Sequence, residues 1–245
     1  DIETINIELA LADLEVVERR LENLPKQMKS QIKEISENAK NQKYILDKLK
    51  VHLGQGKPAR DLNLSEEEKK LVSEFSLITQ KKMIYICNIK EEEINGKNEH
   101  VKTIIEFVAK TDPVIEICGK LESEIAVLDS LDDKKEFMTM AGIEQSSLKT
   151  LTNITYHTLG LRTFFTAGVQ EVRAWTFKEG ALAPKGAGVI HTDFEKGFIK
   201  AEVYHCEDLF SLCSESKVKE NGKLRIEGKE YKLKDGDIIH FRFNV

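Results

Sequence analysis

The chain has 245 residues, 40% of them hydrophobic and 32% charged, with a formal net charge of -5. That length can bury a sizeable core in two or three domains of ~100–150 residues each, and the acidic balance excludes a uniformly basic nucleic-acid binder while leaving room for a local basic face. No apolar run approaches the ~20 residues of a membrane span, and the start is charged rather than signal-like, so membrane insertion and secretion are not expected and the cytoplasm is.

The opening DIETINIELALADLE is already helical in pattern and lacks an initiator Met, so the expectation is a piece of a longer product. Over 5–24 the apolar residues Leu14, Val17, Leu21 and Leu24 recur at 3-4-3 spacing with charges on the other faces, which predicts an amphipathic helix. Pro25 is expected to interrupt it, and a second periodic segment follows through Met28, Ile32, Ile35, Leu46, Leu49 and Leu53. Two antiparallel helices forming a coiled-coil-like arm fit this pattern best. The Gly/Pro loop GQGKPARD (54–61) ends the arm, and Ser65 with Glu68 forms a capping box for a new helix carrying Leu71 and Phe75.

The texture then changes. Segment 83–87 reads as a buried strand, 100–110 as an amphipathic helix, 114–117 as a short buried strand and 121–128 as a helix. Alternating strand and helix predicts an α/β layer with parallel strands, the rest of whose sheet is expected upstream. Helices over 134–140 and 147–159 follow, the latter stopped by Gly160. Beyond that point the chain becomes α+β. Segments 161–166, 171–177, 198–204, 223–226, 230–233 and 238–244 are short and β-branched or aromatic, with helical stretches near 184–190 and 206–220. A small mixed sheet wrapped on a helix, of ubiquitin-like β-grasp type, accommodates that order.

No phosphate-binding motif GxxxxGKS/T occurs in these residues. GQGKP (54–58) has the wrong glycine spacing and a Pro where a hydroxyl must reach Mg²⁺, and no DxxG is found. The chain by itself is therefore not expected to hydrolyse a nucleoside triphosphate. The stretch MIYICNIKEEE (83–93) is more informative, because a strand ends on Asn88 with Glu91 three residues later. Ligands of parallel α/β sheets bind at the carboxyl ends of strands. An Asn there can accept from adenine N6–H and donate to N7. An Asp at the third position, as in NKxD GTPases, accepts from guanine N1–H and the 2-amino group. Adenine offers neither donor, and the longer Glu91 can swing aside. By itself NxxE does not distinguish a base-reading loop from an ordinary strand exit, where Asn and Glu are common. After the second strand, Cys118–Gly119 could cap a base or ribose through backbone N–H groups, or be a plain strand–turn–helix.

The stretches FFTAGVQEVRAWTF (164–177), GAGVIHTDFEKGFIKAEV (186–203) and GKLRIEGKEYKLKDGDIIHFRFNV (222–245) closely resemble the C-terminal TGS domain of the YchF-type, Obg-like ATPases. INIELALADLEVVERR (5–20) resembles the start of that family's inserted helical domain, and NIKE (88–91) stands where the family has NxxE. The resemblance covers essentially the whole chain. It implies a helical coiled-coil domain over 1–80, the C-terminal part of a P-loop nucleotide-binding domain over 81–160 and a TGS β-grasp domain over 161–245. It also implies that Asn88, Ile89 and Glu91 form an adenine-contacting loop and that Cys118 and Gly119 close over the base, with Lys120 left open. For the intact parent it implies ATP preferred over GTP, Mg²⁺, and the ribosome or RNA as partner, without membrane association or DNA sequence recognition. A rival reading is a non-enzymatic RNA- or protein-binding module acting through the arm and the TGS domain.

His191, Asp193, His205, Cys206 and His240 lack metal-ligand spacing, and His191 and Thr192 are expected to cap the segment leading to Phe194. The four cysteines, Cys87, Cys118, Cys206 and Cys213, have no CxxC pairing and are expected to be reduced thiols. Arg162, Arg173, Lys178, Lys185, Lys196 and Lys200 either gather on one face of the sheet to touch RNA or form an ordinary solvated surface.

Overall fold

A computed structural model describes residues 1–94, 96–108, 112–168 and 171–244. The expected helix end at Lys110, part of the 164–177 stretch and Val245 lie outside the described residues. The chain divides into two units, Asp1–Ile84 and Tyr85–Val245.

In the first unit, α1 (Ile2–Met28) and α2 (Lys33–Gly54) form a hairpin. Ala10, Val17 and Leu24 on α1 pack with Ala39, Ile45, Leu46, Leu49 and Leu53 on α2, the spacing that puts one stripe of each helix inward. The antiparallel sense is seen at both ends, where Lys50 pairs with Glu18 at 2.8 Å and Ser36 Oγ donates to the Met28 carbonyl at 2.8 Å. Pro25 does not end α1, contrary to expectation. It lies inside the helix, close to its end. A missing N–H and a crowded carbonyl one turn back cost least where the helix is already finishing. Ile32 and Ile35 do not join the inner stripe either, being 59% and 42% exposed. In this hairpin register the residues opposite them lie past Met28, where α1 has stopped.

A 3-10 turn (Ala59–Asp61) leads to α3 (Glu66–Ser73). Its expected capping box is present: Ser65 Oγ accepts the Glu68 N–H at 3.2 Å and the Glu68 carboxylate accepts the Ser65 N–H at 2.8 Å. Val72, Phe75 and Leu77 are buried with the hairpin stripe. The buried Asp13 carboxylate accepts from the backbone N–H groups of Ile78 (2.8 Å) and Thr79 (2.7 Å) and from the Thr79 hydroxyl (2.6 Å). A charge removed from water is thereby fully hydrogen-bonded.

The second unit begins with β1 (Tyr85–Asn88), a 3-10 turn (Glu91–Glu93), α4 (Glu99–Val108), β2 (Val114–Ile117), α5 (Gly119–Ala126), α6 (Leu131–Met140) and α7 (Ser147–Thr158). β1 and β2 pair in parallel, Tyr85 against Val114 through Asn88 against Ile117. β1 begins two residues later than expected and includes Asn88. It is also not buried on both faces, since Ile86 is 53% exposed. A pair of strands has a packed face and an open one. The packed face holds Ile89, Val101, Cys118 and Leu121, with Cys87, Ile94 and Phe137 against them. Gly160, at φ +66°, takes the left-handed conformation that stops α7.

The remaining elements are β3 (Leu161–Ala167), β4 (Val172–Lys178), α8 (Ala183–Ile190), α9 (Thr192–Lys196), β5 (Phe198–His205), α10 (Cys206–Leu212), α11 (Glu215–Glu220), β6 (Arg225–Glu227) and β7 (Asp237–Phe243). They build a five-stranded sheet of order β4-β3-β7-β5-β6, with β3 and β7 parallel and the other pairs antiparallel. Helix α8 packs on one face through Ala183 and Ala187 against Phe164, Phe177, Phe198, Ala201, Val203 and Ile239. Gly186 allows the close approach, because a Cβ there would collide with the Leu233 side chain. Two expectations fail here. Segment 230–233 makes only a single bridge, Lys232 to Leu182, before the Gly236 turn. The stretch 206–220 splits into α10 and α11, because Cys213 turns left-handed (φ 61°) and Ser214 caps the second helix.

Candidate functional site

The carboxyl ends of β1 and β2 lie side by side because the strands are parallel and in register. The ladder runs one residue past Asn88, where the Ile89 N–H donates to the Ile117 carbonyl at 2.9 Å. Chain reversal after β2 places Cys118 as the N-cap and Gly119 as the first residue of α5. The Gly119 N–H, one of the orphan donors of a helix start, donates to Asn88 Oδ1 at 3.1 Å. Together with the Ile89–Ile117 bond it ties the two strand ends, Asn88 and Gly119 being 31 residues apart.

It also sets the orientation of the carboxamide. An N–H donor requires the oxygen on that side, so Oδ1 faces Gly119 and the Nδ2 protons point away from it. Among the described residues Nδ2 has no protein partner. Two donors beside an acceptor with one lone pair in hand match a purine N7 and an adenine N6–H.

The five candidate residues contribute differently. Asn88 and Glu91 present side chains to solvent, whereas Ile89 (8% exposed) and Cys118 (6%) bury theirs in the core and offer only backbone. Gly119 spends its N–H on Asn88. In the turn after β1, the Lys90 N–H donates to the Glu93 carboxylate at 3.0 Å. That bond, followed by one from Asn98, holds the Glu93 carboxyl below its ordinary value. Glu91 is thus left to face across the loop, where its Oε2 lies 3.5 Å from Lys120 Nζ. Sequence reasoning left Lys120 open. Burial, and then the neighbouring Glu116, push the Cys87 thiol above its usual range, which keeps it a neutral core group.

Glu122, one turn into α5, has a structural task that the sequence did not reveal. Its carboxylate accepts from Ser146 Oγ at 2.8 Å and the Ser147 N–H at 2.6 Å, capping α7. The paired serines at a helix start were the available signal. A cavity of about 580 Å³ adjoins these turns, lined by Ile89, Cys118, Leu121, Glu122, Ser147 and Thr150 among others. It lies on the side of the inward-facing side chains, and Asn88, Glu91 and Gly119 are not part of its wall.

In the five-stranded sheet, the six basic residues do not share one face. The register puts Arg162 on the side of Phe177 and Lys178 on the other, and Lys200 alternates with the core residue Ala201. Arg162 pairs with Glu179, Lys185 with Glu195 and Lys200 with Glu202, while Arg173 lies over the Trp175 ring at 4.2 Å. His191 and His205 act as helix caps, their Nδ1 atoms accepting the N–H of Asp193 (3.2 Å) and Glu207 (3.3 Å). Among the described residues no group of three His, Cys, Asp or Glu side chains is arranged to hold a metal ion, and no helix is long and apolar enough to cross a membrane.

Comparison with known proteins places this geometry in context. Residues 161–244 match the family YchF-GTPase_C, described as "Protein of unknown function (DUF933)". The whole chain is 48% identical to the "Ribosome-binding ATPase YchF" of Bacillus subtilis (strain 168), covering 66% of that protein. It is 44% identical to the protein of the same name from Haemophilus influenzae, again over 100% of this chain and 66% of the relative. The chain therefore spans slightly less than two thirds of the length of these relatives. Among solved structures, 99% of the chain superposes on 65% of the Schizosaccharomyces pombe YchF GTPase with a TM-score of 0.84 at 31% identity. Because it is matched along its whole length by such relatives in sequence and by a solved homologue in structure, the chain belongs to the YchF-type family.

Proposed function

We propose that this chain is the base-recognising, arm-bearing and TGS portion of a ribosome-associated, YchF-type nucleotide hydrolase of the cytoplasm that prefers ATP to GTP. Three parts divide the work: the helical arm over 1–80, the NxxE-bearing part of a P-loop nucleotide-binding domain over 81–160 and a TGS domain over 161–245. The sheet order β4-β3-β7-β5-β6 with α8 across it supports a β-grasp reading of the last part. The arm is read as a coiled-coil hairpin on the strength of its paired stripes. The names of the relatives supply the ribosome and the nucleotide.

The observation that carries the proposal is the bond from Gly119 N–H to Asn88 Oδ1. It joins two parallel strands at their ligand-binding ends and leaves amide protons aimed outward. Asn88 reads the base, Glu91 stands off the edge where guanine would need an acceptor, and Ile89, Cys118 and Gly119 hold the loop in shape. ATP and Mg²⁺ chemistry belongs to phosphate-binding residues of the parent, for which the 245 residues contain no GxxxxGKS/T; the chain itself is inactive in hydrolysis.

Equilibrium binding of fluorescent ATP and GTP analogues tests the reading, with ATP the tighter ligand. GTP bound tenfold more tightly, a difference of about 1.4 kcal/mol, would overturn it. Co-sedimentation with ribosomes that fell with salt and was indifferent to Asn88→Ala and to added ATP would favour the rival, a binding module acting through the arm and TGS domain.

A further inference from the structure

We propose that Lys120 is a specificity-determining residue of the base loop: by holding Glu91 in an ion pair, it denies that carboxylate to guanine. The proposal rests on the base-site reading above and adds a residue and a mechanism to it.

Lys120 is the second residue of α5, directly after Gly119, whose N–H is tied to Asn88. Its backbone position relative to the carboxamide is therefore set by that bond. From there its ammonium reaches Glu91 Oε2 at 3.5 Å. Of the three consecutive acids in the turn, Glu93 is bound back onto the Lys90 N–H, and Glu91 is the one that meets Lys120.

The chemistry of the two purines gives this pair its consequence. Guanine carries N1–H and a 2-amino group, both of which seek an acceptor, and a free carboxylate beside the base would bind them. Adenine has a lone pair at N1 and no amino group at C2, so the same free carboxylate would repel it. Pairing Glu91 with Lys120 removes the attraction for guanine and the repulsion of adenine together. The two side chains are 71% and 50% exposed, so the effect in the open loop is a factor of a few. It strengthens as a bound base excludes water from the pair.

The test uses nucleosides, which need no phosphate contacts, titrated into the 245-residue chain while NMR follows the Gly119 amide and the Asn88 side-chain amide. The wild type is compared with Lys120→Met, Lys120→Arg, and Lys120→Met combined with Glu91→Gln. Lys120→Met should lower the adenosine-to-guanosine affinity ratio by about fivefold. Lys120→Arg should keep the ratio, and the double variant should restore it, because no free carboxylate is then left for guanine. A merely structural role for Lys120 would weaken both nucleosides alike. If the wild type prefers adenosine and Lys120→Met leaves the ratio unchanged, the assignment of Lys120 is overturned while the base site stands. If neither nucleoside shifts the Asn88 and Gly119 signals, or guanosine binds the wild type more tightly, the base-site reading falls and this inference with it.

Discussion

Asn88 accepts the Gly119 N–H through its Oδ1 at 3.1 Å, which turns its Nδ2 donors away from Gly119. The two halves of the carboxamide can be separated by substitution. Asn88→Asp keeps an oxygen for Gly119 and loses the outward N–H groups. Asn88→Ala loses both. Adenine-nucleotide affinity should fall about tenfold in either variant, the cost of one or two hydrogen bonds. The melting temperature should fall only in Asn88→Ala. Calorimetric titration and thermal melts read the two effects independently, and a normal affinity in Asn88→Asp would rule out base reading by Nδ2.

Asp13 is 1% exposed and accepts three hydrogen bonds from Ile78 and Thr79. Asp13→Ala strands the buried Thr79 N–H and hydroxyl and frees the N–H of the half-exposed Ile78. A loss of about 2–4 kcal/mol is expected, several unmet donors at ~1–3 kcal/mol each less what relaxation recovers. Urea unfolding followed by far-ultraviolet circular dichroism measures it. Asp13→Asn, which keeps one acceptor, should fall between the two.

Tyr231 donates its hydroxyl to the buried Asp237 carboxylate at 2.8 Å, and Arg225 donates to the same hydroxyl at 3.2 Å. Burial first, and then the hydrogen bond to Asp237, push its pKa from 10.0 up to about 12. The folded state thus holds this proton more tightly than the unfolded chain does. The resulting stability is fully present below pH 10 and is lost as pH rises from there through about 12. Burial, and then Glu215, also raise Tyr204, so spectrophotometric titration should show two of the five tyrosines ionising late. Tyr231→Phe should remove one of these two late steps and lessen the alkaline fall in stability.

Gly186 sits where α8 meets Leu233 and Phe241. Gly186→Ala would gain helix propensity, yet its methyl group must displace the Leu233 side chain from a packed core. Overpacking should prevail, with a net loss of roughly 1–3 kcal/mol. Pairing Gly186→Ala with Leu233→Val should recover part of it in chemical denaturation. A stabilised single variant would show that the contact has slack.

Much of this molecule is legible from short-range pattern. The stripe of Val17 and Leu24, the Ser65–Glu68 box, strand β2 and the Gly160 stop were all found where periodicity or capping chemistry put them, because each depends on residues within a turn or two of one another. The departures have the opposite character. Pro25 within a finishing helix, Ile35 beyond the end of its partner and Ile86 on an uncovered strand face depend on what stands opposite in space.

The proposed base loop divides along the same line. Sequence by itself determined that an Asn ends a strand with Glu91 three residues on, that Cys118 and Gly119 end another, and that the chain resembles one family from end to end. Only the tertiary structure decided which way the Asn88 carboxamide points, that Ile89 and Cys118 turn inward, and that Glu91 faces Lys120. Asn88 and Gly119 stand 31 residues apart, and Asp13 and Thr79 66 apart. No local propensity couples residues at such separations; they meet because parallel pairing and helix packing bring them together, and the hydrogen bonds form once the backbone is in place.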